Sequence, residues 1–138
     1  MNFDIQAFQQ GALAFLLAFG SAGLVLIAFK YLYQLATPYN ELKLIRDGNQ
    51  CAAVTLGGAL IGFAIPVSMS LSQAHSLAEF VAWAVLAGII QIITFIIVRT
   101  LVVKDLAARI ERGEFSVAIY LASISIAVGL LNAASMTE

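Results

Sequence analysis

The chain has 138 residues, of which 62% are hydrophobic and 11% charged, with a net charge of −1 and a mean hydropathy of +0.96. A soluble domain of this length is nearer half apolar and a quarter charged, and it keeps too much surface in water to hide such a sequence. The composition therefore excludes an ordinary soluble globule. The two prolines and the lack of a low-complexity tract exclude disorder, and the single cysteine, Cys51, excludes an intrachain disulfide or a cysteine-based metal cluster.

In chain order, the first apolar stretch runs from about 11 to 29, with Lys30, Tyr31 and Tyr33 just beyond it. It is preceded by "MNFDIQ", which carries Asp4 and no basic residue. A cleaved signal peptide has a basic start and a shorter apolar core, so this stretch is expected to be a retained first span. Further apolar stretches follow at about 51–71, 78–98 and 117–134. Each approaches the ~20 residues a helix needs to cross a ~30 Å hydrocarbon core. None has Asp, Glu, Lys or Arg in its middle. Only a helix satisfies its own backbone in lipid, and no stretch shows the polar stripe of a soluble bundle helix. The expected fold is an all-α, integral membrane four-helix bundle.

Between the first two spans lies "TPYNELKLIRDGN". Thr37 suits an N-cap and Pro38 a first helical residue, which predicts a short amphipathic helix from there. Leu42, Ile45 and Leu44 form its apolar side, and Glu41, Lys43, Arg46 and Asp47 its polar side. Gly48 is placed to end it in the left-handed conformation, and Asn49 to cap the next span. The reading for this stretch is a charged linker whose basic residues anchor it at the membrane surface, with a lipid-headgroup or protein docking site as the sharper alternative.

The second span carries Thr55, Gly58, Gly62 and Pro66 on one face. Gly58 and Gly62 are a G-x-x-x-G pair, a helix-packing signature in lipid. Cys51, at its start, reads as a small apolar filler. In the link to the third span, His75 and Glu79 are spaced i, i+4, which is too few ligands for a metal site. Trp83 suits an interfacial anchor. Gln91 and Thr94 in the third span, with Ser125 and Asn132 in the fourth, are the candidate intramembrane polar site. They serve either as interhelical hydrogen bonds or as the lining of a hydrated path. Between these spans, Asp105 through Arg112 predicts a second short helix stopped by Gly113.

All seven Lys and Arg lie in or beside the two connections that join spans one to two and three to four: Lys30, Lys43, Arg46, Arg99, Lys104, Arg109 and Arg112. The N-terminus, the link "SQAHSLAE" and the tail "SMTE" have none. The positive-inside rule puts both charged connections in the cytoplasm and both termini outside.

The halves align without gaps at an offset of 65 residues, Gly48 onto Gly113. Ile45, Arg46, Asp47 and Gly48 lie over Ile110, Glu111, Arg112 and Gly113, and Gly58 and Gly62 over Ser123 and Ala127. Each half reads as span, charged helix, glycine, span, which predicts two parallel two-span repeats, 1–72 and 73–138. Gln91 and Asn132 fall over Leu26 and Val67, so the polar pair belongs to the second repeat alone.

The stretches "TPYNE", "LIRDGNQCAAVTLGGALIGFAIP" and "RIERGEFSVAIYLASISIAVGLLNAASM", on this duplicated plan, resemble the YjfL-like small bacterial inner-membrane proteins, a family of unknown function. The resemblance covers nearly the whole chain. It implies a bacterial plasma-membrane location and carries no catalytic residues.

No Ser–His–Asp or Cys–His arrangement and no phosphate-cradling glycine loop is present, and the one histidine lies outside the spans. The expectation is a protein that is not an enzyme and needs no cofactor, metal or nucleic acid. Two functions remain. One is a structural or envelope-associated membrane protein that works through lipids or a cytoplasmic or membrane partner. The other is a small homo-oligomeric channel or permease with a path near Gln91 and Asn132.

Overall fold

The computed structural model describes residues 2–136, so Met1 and the last two residues of the "SMTE" tail lie outside the description. The described chain is all-helical. Four helices are long and apolar enough to cross a membrane: α1 (Ile5–Ala36), α3 (Gln50–Gln73), α4 (Leu77–Ile97) and α6 (Phe115–Ser135). Two six-residue helices, α2 (Glu41–Arg46) and α5 (Leu106–Glu111), lie in the charged connections. A π-helical turn, Val98–Val102, extends α4.

α1 is longer than its hydropathy suggests. Its 32 residues rise ~48 Å at ~1.5 Å each, beyond the ~30 Å of a hydrocarbon core. Asp4 starts it by accepting from the amides of Gln6 and Ala7, and nothing disrupts it until Pro38, which favours the extended backbone seen at Thr37 (ψ 141°). Only its C-terminal half docks, through buried Phe29 and Tyr33. Phe8, Leu13, Phe15, Leu16 and Phe19 stay exposed.

The core of the bundle is the pairing of α3 with α6. Gly58 packs on Ala122, and Gly62 packs on the backbone of Ser125 and of Gly129. α4 closes the bundle with a stripe of Phe80, Ala84, Ala87, Gly88, Gln91 and Phe95. An aromatic column then ties α1 to α3 and α4. Phe29 stacks on Phe63 with centroids 4.2 Å apart, and Tyr33 meets Phe95 at 4.8 Å.

Two local expectations are corrected. Thr37 does not cap α2 and Pro38 is not in it: the Thr37 hydroxyl donates back to the Gln34 carbonyl at 2.9 Å, and Asn40 is the cap, accepting from the Lys43 amide at 3.2 Å. Glu41 is not on a solvated face. It is 1% exposed, while Leu44 and Ile45 are half-buried, because so short a helix is oriented by what its neighbours cover.

Candidate functional site

The intramembrane polar residues gather on the seam between α4 and α6. Gln91 donates its Nε2 to the Ser125 carbonyl at 3.3 Å, and Asn132 donates its Nδ2 to the Ala87 carbonyl at 3.2 Å. Each amide thus reaches across to the other helix's backbone. Thr94 is different: its hydroxyl donates to Ile90 on its own helix at 2.8 Å. Ser125 contributes its carbonyl to the seam. Gly62 opens on the same point, where a Cβ would come within 3.0 Å of Gln91 Nε2 and would overlap the Ser125 carbonyl.

The turns of the two charged connections are closed by Gly48 (φ +89°) and Gly113 (φ +80°), where a side chain would be strained. Asn49 works twice. Its Oδ1 accepts from the Ala52 amide at 2.9 Å, and its Nδ2 donates to the Ile110 carbonyl at 2.9 Å, joining one charged connection to the other. Arg112 pairs with Glu114 at 2.6 Å on the surface, and Arg46 is exposed. In the link between α3 and α4, Glu79 has a structural task. Its amide donates to Ser76 Oγ and its carboxylate accepts from the His75 amide, which caps α4.

A second polar cluster escaped sequence reasoning. Where α1 ends and α2 begins, Tyr33, Tyr39 and Glu41 are all buried. The two phenol oxygens and both carboxyl oxygens lack a hydrogen-bond partner of good geometry. Thr55 and Cys51 of α3 lie beside Tyr39. Burial pushes the Glu41 carboxyl up to about 8, against smaller opposing effects of the Tyr39 hydroxyl and the Lys30 charge. Burial, then Glu41, holds the Tyr39 hydroxyl well above the ordinary phenol range. Glu41 is thereby biased toward its neutral form near neutral pH. The only sequence signal was a glutamate two residues after Tyr39 in "TPYNE", which looks like any solvated turn.

One shallow cavity lies between the two glycine turns, lined by Asn49, Cys51, Arg112 and Phe115, and others lie away from both polar clusters. An open cleft of about 450 Å³ sits at the end of the bundle that carries the α3–α4 link, between Ser70, His75, Glu79, Trp83 and Met136. An apolar groove runs between α1, α3 and α4 along Leu24, Phe29, Phe63 and Gly88.

Residues 7–136 match the family model described as Domain of Unknown Function (DUF350). The chain belongs to this family. The DUF350 chain is 33% identical over 113 residues to the UPF0719 inner membrane protein YjfL of Escherichia coli strain K12, covering 82% of the chain and 85% of that relative. It is 28% identical over 116 residues to the UPF0719 transmembrane protein YshE of Bacillus subtilis strain 168, covering 83% and 87%. No solved structure matches it. With four candidate spans and these relatives, this DUF350 member is a multi-pass inner-membrane protein.

Proposed function

We propose that this protein is a non-enzymatic structural or envelope-associated component of the inner membrane, acting through lipids or a protein partner and assembling with copies of itself. The reading rests on one observation: the two amides at membrane depth, Gln91 and Asn132, are spent on backbone carbonyls across the α4–α6 seam. A permeation path needs polar groups turned toward water, and these are turned toward protein. Assembly is supported by α1, whose N-terminal half exposes a row of large apolar side chains that the rest of the chain leaves uncovered.

In this reading both termini and the α3–α4 link face outside, and both charged connections face the cytoplasm. The two halves, 1–72 and 73–138, are parallel repeats. The α3–α6 contacts support this. A pseudo-two-fold axis between equivalent helices makes each residue meet its own equivalent, and Gly58–Ala122, Gly62–Ser125 and Gly62–Gly129 all fall within two residues of the 65-residue offset.

The test places single cysteines at 26, 67, 91 and 132 in a Cys51→Ala background and exposes them to a membrane-impermeant thiol reagent. No labelling at any of the four in folded protein is expected. Labelling at 91 and 132, with none at 26 and 67, would replace this reading with that of a channel or permease whose path runs through the second repeat.

A further inference from the structure

We propose that Glu41, Tyr39, Tyr33 and Thr55 form a buried proton-binding site that latches the first charged connection to the bundle while Glu41 is neutral and releases it when Glu41 ionises. The inference is independent of whether the bundle is structural or forms a path.

The geometry is that of a site built around one carboxyl group. Glu41 opens α2, is 1% exposed, and neither oxygen has a hydrogen-bond partner of good geometry, although the Tyr39 hydroxyl lies near enough to lower its pKa. Two buried phenol oxygens without partners share the pocket, one on α1 and one in the loop. An unbonded buried carboxylate is among the costliest groups a protein can hold, whereas a neutral carboxyl group costs far less. The groups around Glu41 do not supply a compensating charge. From α1 come Tyr33 and Lys30, and the Lys30 ammonium, whose effect is the smaller one, lies over the Tyr31 ring at 5.2 Å. From the loop comes Tyr39, and from α3 come Thr55, whose hydroxyl donates to the Cys51 carbonyl at 2.6 Å, and Cys51 itself. Phe95 of α4 packs on Tyr33; the charge within α4 is Glu79, at the opposite end of the helix, and Arg99 lies in the π-helical turn beyond Phe95. On α2 itself, Lys43 and Arg46 are exposed.

The linkage has a definite sign. Docked, Glu41 titrates near 8; released into water, it titrates near its ordinary 4.5. The docked state therefore binds more protons between those values. Docking is at full strength below about 4.5, weakens as pH rises, and reaches its weakest level at about 8, above which it is flat. The released fraction climbs by at most about tenfold per pH unit inside that window.

Cys51, buried beside Tyr39 and the only cysteine, reports the release without mutation. The full-length protein in nanodiscs is labelled with N-ethylmaleimide from pH 6 to pH 9.5, alongside Glu41→Gln, which mimics the neutral carboxyl group. Taking the ratio of the two rates cancels the titration of the thiol. The expected ratio rises at least tenfold between pH 6 and 8 and is flat above. A ratio independent of pH overturns the latch. Should Glu41→Gln fail to fold, the infrared carbonyl band of a protonated carboxylic acid in the unmodified protein decides. The band should persist at pH 7 and vanish with a midpoint near 8, and its absence at pH 7 overturns the proposal.

Discussion

The carbonyl oxygen of Gly62 lies where Gly129 would carry a side chain. Pro66, one turn beyond Gly62, has no N–H to offer that carbonyl, so the usual bond inside α3 is missing. The close approach of Gly129 puts a Cα–H against the freed oxygen, a weak contact that recurs where helices pack tightly. Sequence, backbone and packing thus meet at one point. A proline frees an acceptor, a glycine admits the neighbour, and two helices pack backbone to backbone.

Substituting Gly62→Leu or Gly129→Leu should therefore force α3 and α6 apart. Overpacking costs typically 1–3 kcal/mol, and here the obstacle is backbone, which yields less than a side chain. Leu60→Ala, at a half-buried position, should cost less. Thermal unfolding in detergent compares them, and equal midpoints would show that the seam tolerates bulk.

The amides should matter less than their burial suggests. Hydrogen bonds between membrane helices average about 0.6 kcal/mol, so Gln91→Leu and Asn132→Leu should each lower stability only slightly. A loss of several kcal/mol in the same detergent assay would mean that these side chains do more than bridge α4 to α6.

Asn49→Ala should cost more than Glu114→Ala, although both residues stand just before a span. Asn49 caps α3 and also bonds Ile110, whereas Glu114 makes no capping bond and only a surface ion pair. A lost cap costs ~1 kcal/mol and a lost hydrogen bond about as much, while an exposed pair is worth little. Unfolding midpoints that rank the two variants the other way would contradict this account.

Stability should depend on pH through Glu41. Its carboxyl group is raised from 4.5 to about 8, so it favours folding fully below about 4.5 and loses that contribution as pH rises to about 8. Glu41→Gln should flatten the unfolding midpoint across this window. Tyr39→Phe removes a hydroxyl that lowers the Glu41 value, so the transition should move to higher pH. A downward shift would show that the hydroxyl instead favours the neutral acid.

Orientation is open to a direct measurement. A reporter active only in the periplasm, fused after Glu138, should give signal, because all seven basic residues fall in the two charged connections. Signal from a reporter active only in the cytoplasm would invert the topology.

The number of spans, their order and the all-helical class could be read from the sequence alone, because in a bilayer they depend on composition and on the backbone's need to bond to itself. The ends of the helices could be read only in part. The bilayer does not decide where α1 begins: hydropathy falls off before Gly11, yet Asp4 and an unbroken backbone carry the helix outward to Ile5. Thr37 looked like a cap and instead closes the helix behind it, since a hydroxyl can donate as readily as it accepts.

What only the tertiary structure decided was partnership. A glutamine in an apolar run needs a partner, but nothing in its neighbours along the chain names the Ser125 carbonyl. Glu41 shows the same limit more sharply. Six residues of charged turn read as solvated, yet Glu41 is buried where Tyr33 of α1 and Tyr39 lie beside it, with Thr55 of α3 next to Tyr39. Burial is a property of what covers a residue, and cover comes from segments distant in sequence. The periodicity of a chain reports which face is apolar, while the cost of leaving a charge or an amide unpaired is set by the neighbours that the fold brings to it.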